Sequence, residues 1–207
     1  MRHDREKIKS RYIIAVFALL ALCVRLWNAS DVSQEDIAEK ILRFHILANS
    51  DSSEDQAVKR KVRDAVGAYM APYLKDAKGL KQTRAIVDAH LEDIVQTAES
   101  VLAENGFGYG ATAQRERVDF PVKTYGDYTF PAGEYEALEI TLGEGGGHNW
   151  WCVLYPNMCF QGTVYEVVTE DADAALREVL TPEEYAGVFN SGNFEVRFRF
   201  LDFFRGK

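Results

Sequence analysis

The chain has few of the side chains that most enzymes and metalloproteins rely on, with three cysteines and four histidines in 207 residues. It contains no Gly-x-Ser-x-Gly elbow, no His-Glu-x-x-His, no Cys-x-x-Cys and no glycine-rich loop ending in Gly-Lys-Ser/Thr. These absences exclude the commonest serine-hydrolase, zinc-protease, dithiol-redox and phosphate-loop chemistries. No internal repeat or low-complexity linker is present, and 47% hydrophobic with 27% charged residues is ordinary globular composition. Disordered, collagenous and polytopic membrane proteins are thereby set aside, and a single compact domain is the starting expectation.

The formal charge of −8 is unevenly spread. Residues 1–29 hold six basic groups (Arg2, Arg5, Lys7, Lys9, Arg11, Arg25) and two acidic ones (Asp4, Glu6), so the remainder carries −12. A domain that acidic repels phosphate backbones and anionic lipid, which leaves proteins or small molecules as partners and excludes nucleic acid. The basic stretch precedes thirteen uncharged, mostly apolar residues, 12–24, the pattern of a signal peptide or, continued past Arg25 through Leu26 and Trp27, an N-terminal membrane anchor. No clean small-x-small cleavage site follows, so cleaved and retained forms both stand. Either way the N-terminus is expected inside and residues 30–207 outside the cytoplasm.

Cys23 belongs to the apolar segment, leaving Cys152 and Cys159 as the pair in the exported part. Outside the cytoplasm these two form one disulfide or remain as buried thiols. The intervening Pro156-Asn157 is a turn signal that makes the small loop geometrically reasonable.

From residue 30 onward the periodicity predicts a short helix within 31–40 and a strand over 41–48. Ser53 with Gln56 resembles a capping box opening an amphipathic helix that runs to about Lys78-Gly79. A second long helix is expected over 82–104, stopped by Asn105-Gly106. From Gln114 the period becomes two, with turn signals around a short strand at 128–130, a strand over 134–142 and another over 150–155 that reads as central and buried on both faces. These strands are expected to form an antiparallel meander joined through the glycine-rich Gly143 to His148 loop. Helix over 171–180, a helix start at Thr181-Pro182-Glu183-Glu184 and a final strand over 194–200 complete the chain. The predicted class is α+β: an N-terminal signal or anchor segment, then one domain with two long amphipathic helices packed on a mainly antiparallel sheet.

Candidate chemistry is sparse. The glycine-rich loop opens no helix, so it is not a dinucleotide cradle; it reads as a mobile hairpin loop or a contact loop. His148, Trp150 and Trp151 follow from it as possible partner-contact residues, although at least one tryptophan should be core. Ser50 or Cys152 with His45 or His148 as base has no supporting spacing, and His90 is expected on the second helix beside Leu91, at a boundary position on that helix. Asn49, Asp51, Glu54 and Asp55 fit helix-cap chemistry better than a cation site. No catalytic residue, metal ligand or cofactor is predicted.

Particular runs carry a resemblance. Ile46-Leu47-Ala48-Asn49-Ser50-Asp51-Ser52, Asp55-Gln56 and Val62-Arg63-Asp64-Ala65-Val66 form one group. Phe120-Pro121, Lys123, Tyr125-Gly126, Phe130-Pro131-Ala132-Gly133-Glu134-Tyr135-Glu136-Ala137, and Asn149-Trp150-Trp151-Cys152-Val153-Leu154-Tyr155-Pro156 through Cys159-Phe160 form the others. Together they resemble the stage II sporulation protein R family of endospore-forming bacteria. The resemblance implies a non-enzymatic signalling protein exported from the forespore into the septal intermembrane space, secreted or membrane-tethered. Its implied partner is a membrane-embedded aspartic protease of the mother cell, which it activates to process the precursor of sigma factor E. An exported septal wall hydrolase or a structural scaffold is the alternative.

Overall fold

The computed structural model describes residues 34–156, 158 and 170–189. The predicted signal or anchor segment, Cys159 and the final strand over 194–200 lie outside the described residues. In chain order the elements are α1 (Gln34–Ala38), β1 (Leu42–Leu47), α2 (Ser53–Leu74), α3 (Leu80–Ala89), α4 (Leu91–Glu104), β2 (Ala111–Phe120), β3 (Lys123–Tyr125), β4 (Tyr128–Phe130), β5 (Gly133–Leu142), β6 (Asn149–Tyr155), α5 (Glu170–Val179) and α6 (Pro182–Val188). The class is α+β, as expected.

Four strands form a sheet in the order β2-β5-β1-β6, and β3 pairs only with β4 in a separate hairpin. β2 runs antiparallel to β5 and β6 antiparallel to β1, but β1 and β5 are parallel neighbours. The sheet is therefore mainly antiparallel without being a simple meander. β1 is central, whereas β6, expected there from its apolar run, lies at the edge among the described strands. Its apolar residues are accounted for by packing on each face instead. Five of the six β1 residues are buried, Arg43 and His45 among them.

The helices cover one face. Leu42, Phe44 and Ile46 of β1 and Leu138, Ile140 and Leu142 of β5 pack against Val58, Val62, Val66 and Met70 of α2 and Ile94, Ala98 and Leu102 of α4. The period-two and period-3.6 patterns meet there, each fully buried aliphatic side chain contributing about 1.5–3 kcal/mol. The second long helix is in fact two, because His90 takes φ −115° and ψ 10° and ends α3 before α4 begins. His90 Nδ1 sits 2.8 Å from the Tyr69 hydroxyl, and its ring lies 4.1 Å from that of Tyr73, so the break is tied to α2. The start of α2 also differs by one residue: Ser52 caps it, accepting from the Asp55 N–H, and Gln56 turns instead to the Ser50 carbonyl. At α6 the predicted capping box between Thr181 and Glu184 is formed in both directions.

Truncating Ile140 to alanine is predicted to lower unfolding free energy by about 2–5 kcal/mol in urea titrations. Val122→Ala, at a position 40% exposed, should change it by less than about 0.5 kcal/mol. Equal losses would contradict the packing described for β5.

Candidate functional site

The chain leaves β1 at the end of the sheet where β5 also finishes, and two loops meet there. The loop joining β5 to β6 is not a hairpin, because β1 lies between those strands and the loop must pass over its end. It is pinned along its length. Gly146 N–H donates to the Asn49 carbonyl (3.1 Å) and Gly147 N–H to the Ala48 carbonyl (2.9 Å). Glu144 N–H donates to Asn49 Oδ1 (3.1 Å), and the His148 N–H donates to Asp51. Lys59, 5% exposed, reaches up from α2 to the His148 carbonyl (2.6 Å). A Cβ at Gly147 would overlap the Ser50 carbonyl, so only glycine allows this approach.

Asp55 holds the lower side of this knot. It is 5% exposed and accepts from Ser50 Oγ, from Asn49 Nδ2 (3.0 Å) and from the Tyr109 hydroxyl. Burial disfavours its ionised form, but the hydrogen bonds from Ser50, Tyr109, Asn49 and Ser52 outweigh that and lower its pKa. The same burial, with the bond to Asp55, pushes the Tyr109 phenol up. The result is a rigid rim on which His148, its side chain 81% exposed, stands paired with Asp51.

The sheet face away from the helices carries a second cluster. Arg43 and His45 project there from β1, neither more than 2% exposed. Rings of Phe120, Tyr135, Phe130 and Tyr125 surround the Arg43 guanidinium at 4.4, 5.0, 5.1 and 5.8 Å. Tyr125 and Phe130 belong to the β3–β4 hairpin, which closes over the cation, and the Tyr125 hydroxyl takes its one hydrogen bond at 3.1 Å. His45 Nε2 lies 2.7 Å from Glu139, with the Trp151 ring 4.6 Å away. Burial lowers the His45 pKa; the Glu139 bond and charge oppose this without reversing it, and Arg43 adds to the lowering. His45 is therefore predominantly neutral at neutral pH.

The predicted contact residues do not form one patch. Trp150 packs edge-on against Phe44 (5.3 Å) on the helix side, beneath Arg63. Trp151 faces the other way, against His45 and Phe120, with Lys123 above it. His148 stands on the rim between the two faces and is held, not mobile. Cys152 is buried and disulfide-bonded. Ser50 donates to Asp55 and not to a histidine, so it has no base. Asp51, Glu54 and Asp55 do not converge, and no group of three potential metal ligands occurs among the described residues. A groove of about 410 Å³ beside β2 is lined by Arg84, Arg115, Arg117, Glu116 and Glu136. Its arginines are committed to Glu136, Asp88 and Glu134.

Sequence reasoning missed Arg43 and its ring of aromatics. The available signal was a charged residue and a histidine two apart in an otherwise apolar strand.

A pinned loop rim and a hairpin-capped aromatic cluster, on a four-stranded sheet backed by helices, define a small α+β domain. The chain belongs to the stage II sporulation protein R family, whose sequence model matches residues 38–165. It is 41% identical over 124 residues to the stage II sporulation protein R of Bacillus subtilis (strain 168), a match covering 60% of this chain and 55% of that protein. The chain thus spans little more than half the length of that curated relative. No solved structure matches it.

Two outcomes follow from the geometry. Because His45 is harder to protonate folded than unfolded, stability is complete above about pH 6.5 and falls as pH drops from there through the lower folded pKa. His45→Gln should flatten that limb in denaturant titrations taken between about pH 7 and 5; an unchanged slope would place the titration elsewhere. Gly147→Ala should cost about 1–3 kcal/mol, and an alanine there without effect would show that the two loops do not touch.

Proposed function

We propose that this protein is an extracytoplasmic signal that activates a membrane-embedded aspartic protease by contact, so that the protease processes the precursor of mother-cell sigma factor E. In this reading the chain is exported from the forespore, acts in the septal intermembrane space and is not itself an enzyme. Residues 1–29 serve as signal peptide or tether, residues 30–207 are the signalling domain, and Cys152 pairs with Cys159.

The observation that supports contact signalling is the rim. Asn49, Asp51 and Gln56, from the first group of family-like runs, bond to the loop that leads into Asn149-Trp150-Trp151-Cys152, from the last, and Ser50 and Asn49 are tied beneath it to Asp55. A surface fixed before the partner arrives loses little ordering entropy on binding. Such a ligand shifts the protease toward its active arrangement only by binding that arrangement more tightly. A septal hydrolase would call for two carboxylates and a histidine in an open pocket. The one described histidine buried with a carboxylate, His45 with Glu139, is sealed beneath Trp151.

The test presents the chain on the outer side of vesicles that carry the protease, with the sigma-factor precursor inside, and scores precursor cleavage. Cleavage is expected only when the chain is present. His148→Ala should reduce it about tenfold or more, the scale of a contact hot spot, while leaving stability within about 0.5 kcal/mol. Cleavage that proceeds equally without the chain, in vesicles where the protease is competent, would refute the role.

A further inference from the structure

Arg43 is the largest fully buried side chain among the described residues, and it has no counter-ion there. Its Nη2 meets the Tyr125 hydroxyl, but Nε and Nη1 have no hydrogen-bond partner among the described residues. Ring faces attract the charge, yet they leave the N–H groups of those two nitrogens without an acceptor of ordinary strength. A buried cation left this way is a liability for stability, since an apolar side chain of similar length would fill the same space without the desolvation cost. Unsatisfied groups of this kind are retained where they act on something else.

The placement of the Tyr125 hydroxyl indicates what that is. A guanidinium takes a carboxylate by two parallel bonds along either of two edges, Nε with Nη2 or Nη1 with Nη2. Both edges include Nη2, the one nitrogen that Tyr125 occupies. Nη2 has one N–H for each edge, so Tyr125 holds the place of a ligand oxygen on one of the two. We propose that Arg43 is a concealed binding site for a single carboxylate of a partner protein, an acidic side chain or chain end, which enters by displacing Tyr125 as the β3–β4 hairpin lifts.

Two features favour a carboxylate over a phosphate. The box has aromatic rings 4.4–5.1 Å from the guanidinium carbon, spacing that suits a planar group better than a tetrahedral one. It also offers one positive charge, because its neighbour His45 is neutral and paired with Glu139. The hairpin is suited to moving. Its strands are three residues each and pair with one another, with a single isolated bridge from Tyr128 to Phe189 beyond them, and two-stranded ribbons are marginal by themselves. Its outer anchor is polar: Tyr128 lies 3.1 Å from the Tyr185 hydroxyl and donates to Asp173. Those hydrogen bonds, with one from Arg177, hold Asp173 down at about 2.

The inference is independent of the proposed protease partner, and its test needs none. The full chain is titrated with sodium acetate, and with sodium chloride at equal ionic strength, while the Arg43 Nε–Hε resonance is followed by 1H–15N NMR. Acetate should give a saturable shift that chloride does not. Tyr125→Phe, which keeps the ring and removes the placeholder, should lower the acetate Kd about fivefold. Arg43→Met should fold with an unchanged or higher Tm and lose the response. No saturable response in either the wild type or Tyr125→Phe would overturn the proposal. So would an acetate response elsewhere in the spectrum that survives Arg43→Met.

Discussion

The central strand β1 sets the terms for the rest of this domain. It is covered on both faces, and its alternate residues belong to different environments: Leu42, Phe44 and Ile46 to an aliphatic core, Arg43 and His45 to an aromatic one. The first face is closed by three helices in the usual way, apolar stripe against apolar strand. The second cannot be, because a cation and an imidazole need polarisable rings, hydroxyls and a carboxylate around them. Phe120, Tyr125, Phe130, Tyr135, Trp151 and Glu139 meet that need, and they come from β2, β3, β4, β5 and β6. The extra hairpin is thus a consequence of what β1 carries.

The same strand positions the rim. Its last residues run straight into the Asn49 to Ser52 turn and the N-terminus of α2, and the returning glycine-rich loop fastens onto that turn through backbone and side-chain bonds. Rim and hairpin therefore share one rigid support but differ in how they are held. The loop is anchored to the backbone carbonyls of Ala48 and Asn49, directly after β1. The hairpin is bonded to itself, has one bridge to Phe189, and otherwise leans on rings and on the Asp173 and Tyr185 side chains of α5 and α6. Under the proposed contact-signalling role this is a useful division, a fixed surface beside a part able to respond.

Much of this was legible in the sequence. Period-3.6 spacing located α2, the period-two run located β2 and β5, and Thr181-Pro182-Glu183-Glu184 marked α6, because each rests on local chemistry. The departures all involve non-local partners. β6 read as central from its apolar residues, yet order within a sheet depends on which strands pair, and β1 took the centre despite Arg43 and His45. His90 splits the second helix, and its contacts are with Tyr69 and Tyr73 of α2, side chains no local window contains. Glycines 143, 145, 146 and 147 suggested mobility; Gly143, Gly145 and Gly147 are instead required by close approach to Asn49, Thr141 and Ser50. Among the contact candidates, strand alternation correctly sent Trp150 and Trp151 to opposite faces. It could not show that the neighbouring cation would be the group left without a partner.

The central claim, a pinned rim beside a hairpin held mainly by side chains, is tested most directly by amide hydrogen exchange on the full chain. The Gly146 and Gly147 amides, bonded to the Asn49 and Ala48 carbonyls just beyond β1, should be protected to nearly the level of β1 itself. The amides of Lys123–Tyr125 and Tyr128–Phe130 should exchange through a lower-energy opening while β1 and β5 remain protected. Fast exchange at Gly146 and Gly147, with the hairpin opening only when the whole domain unfolds, would contradict it.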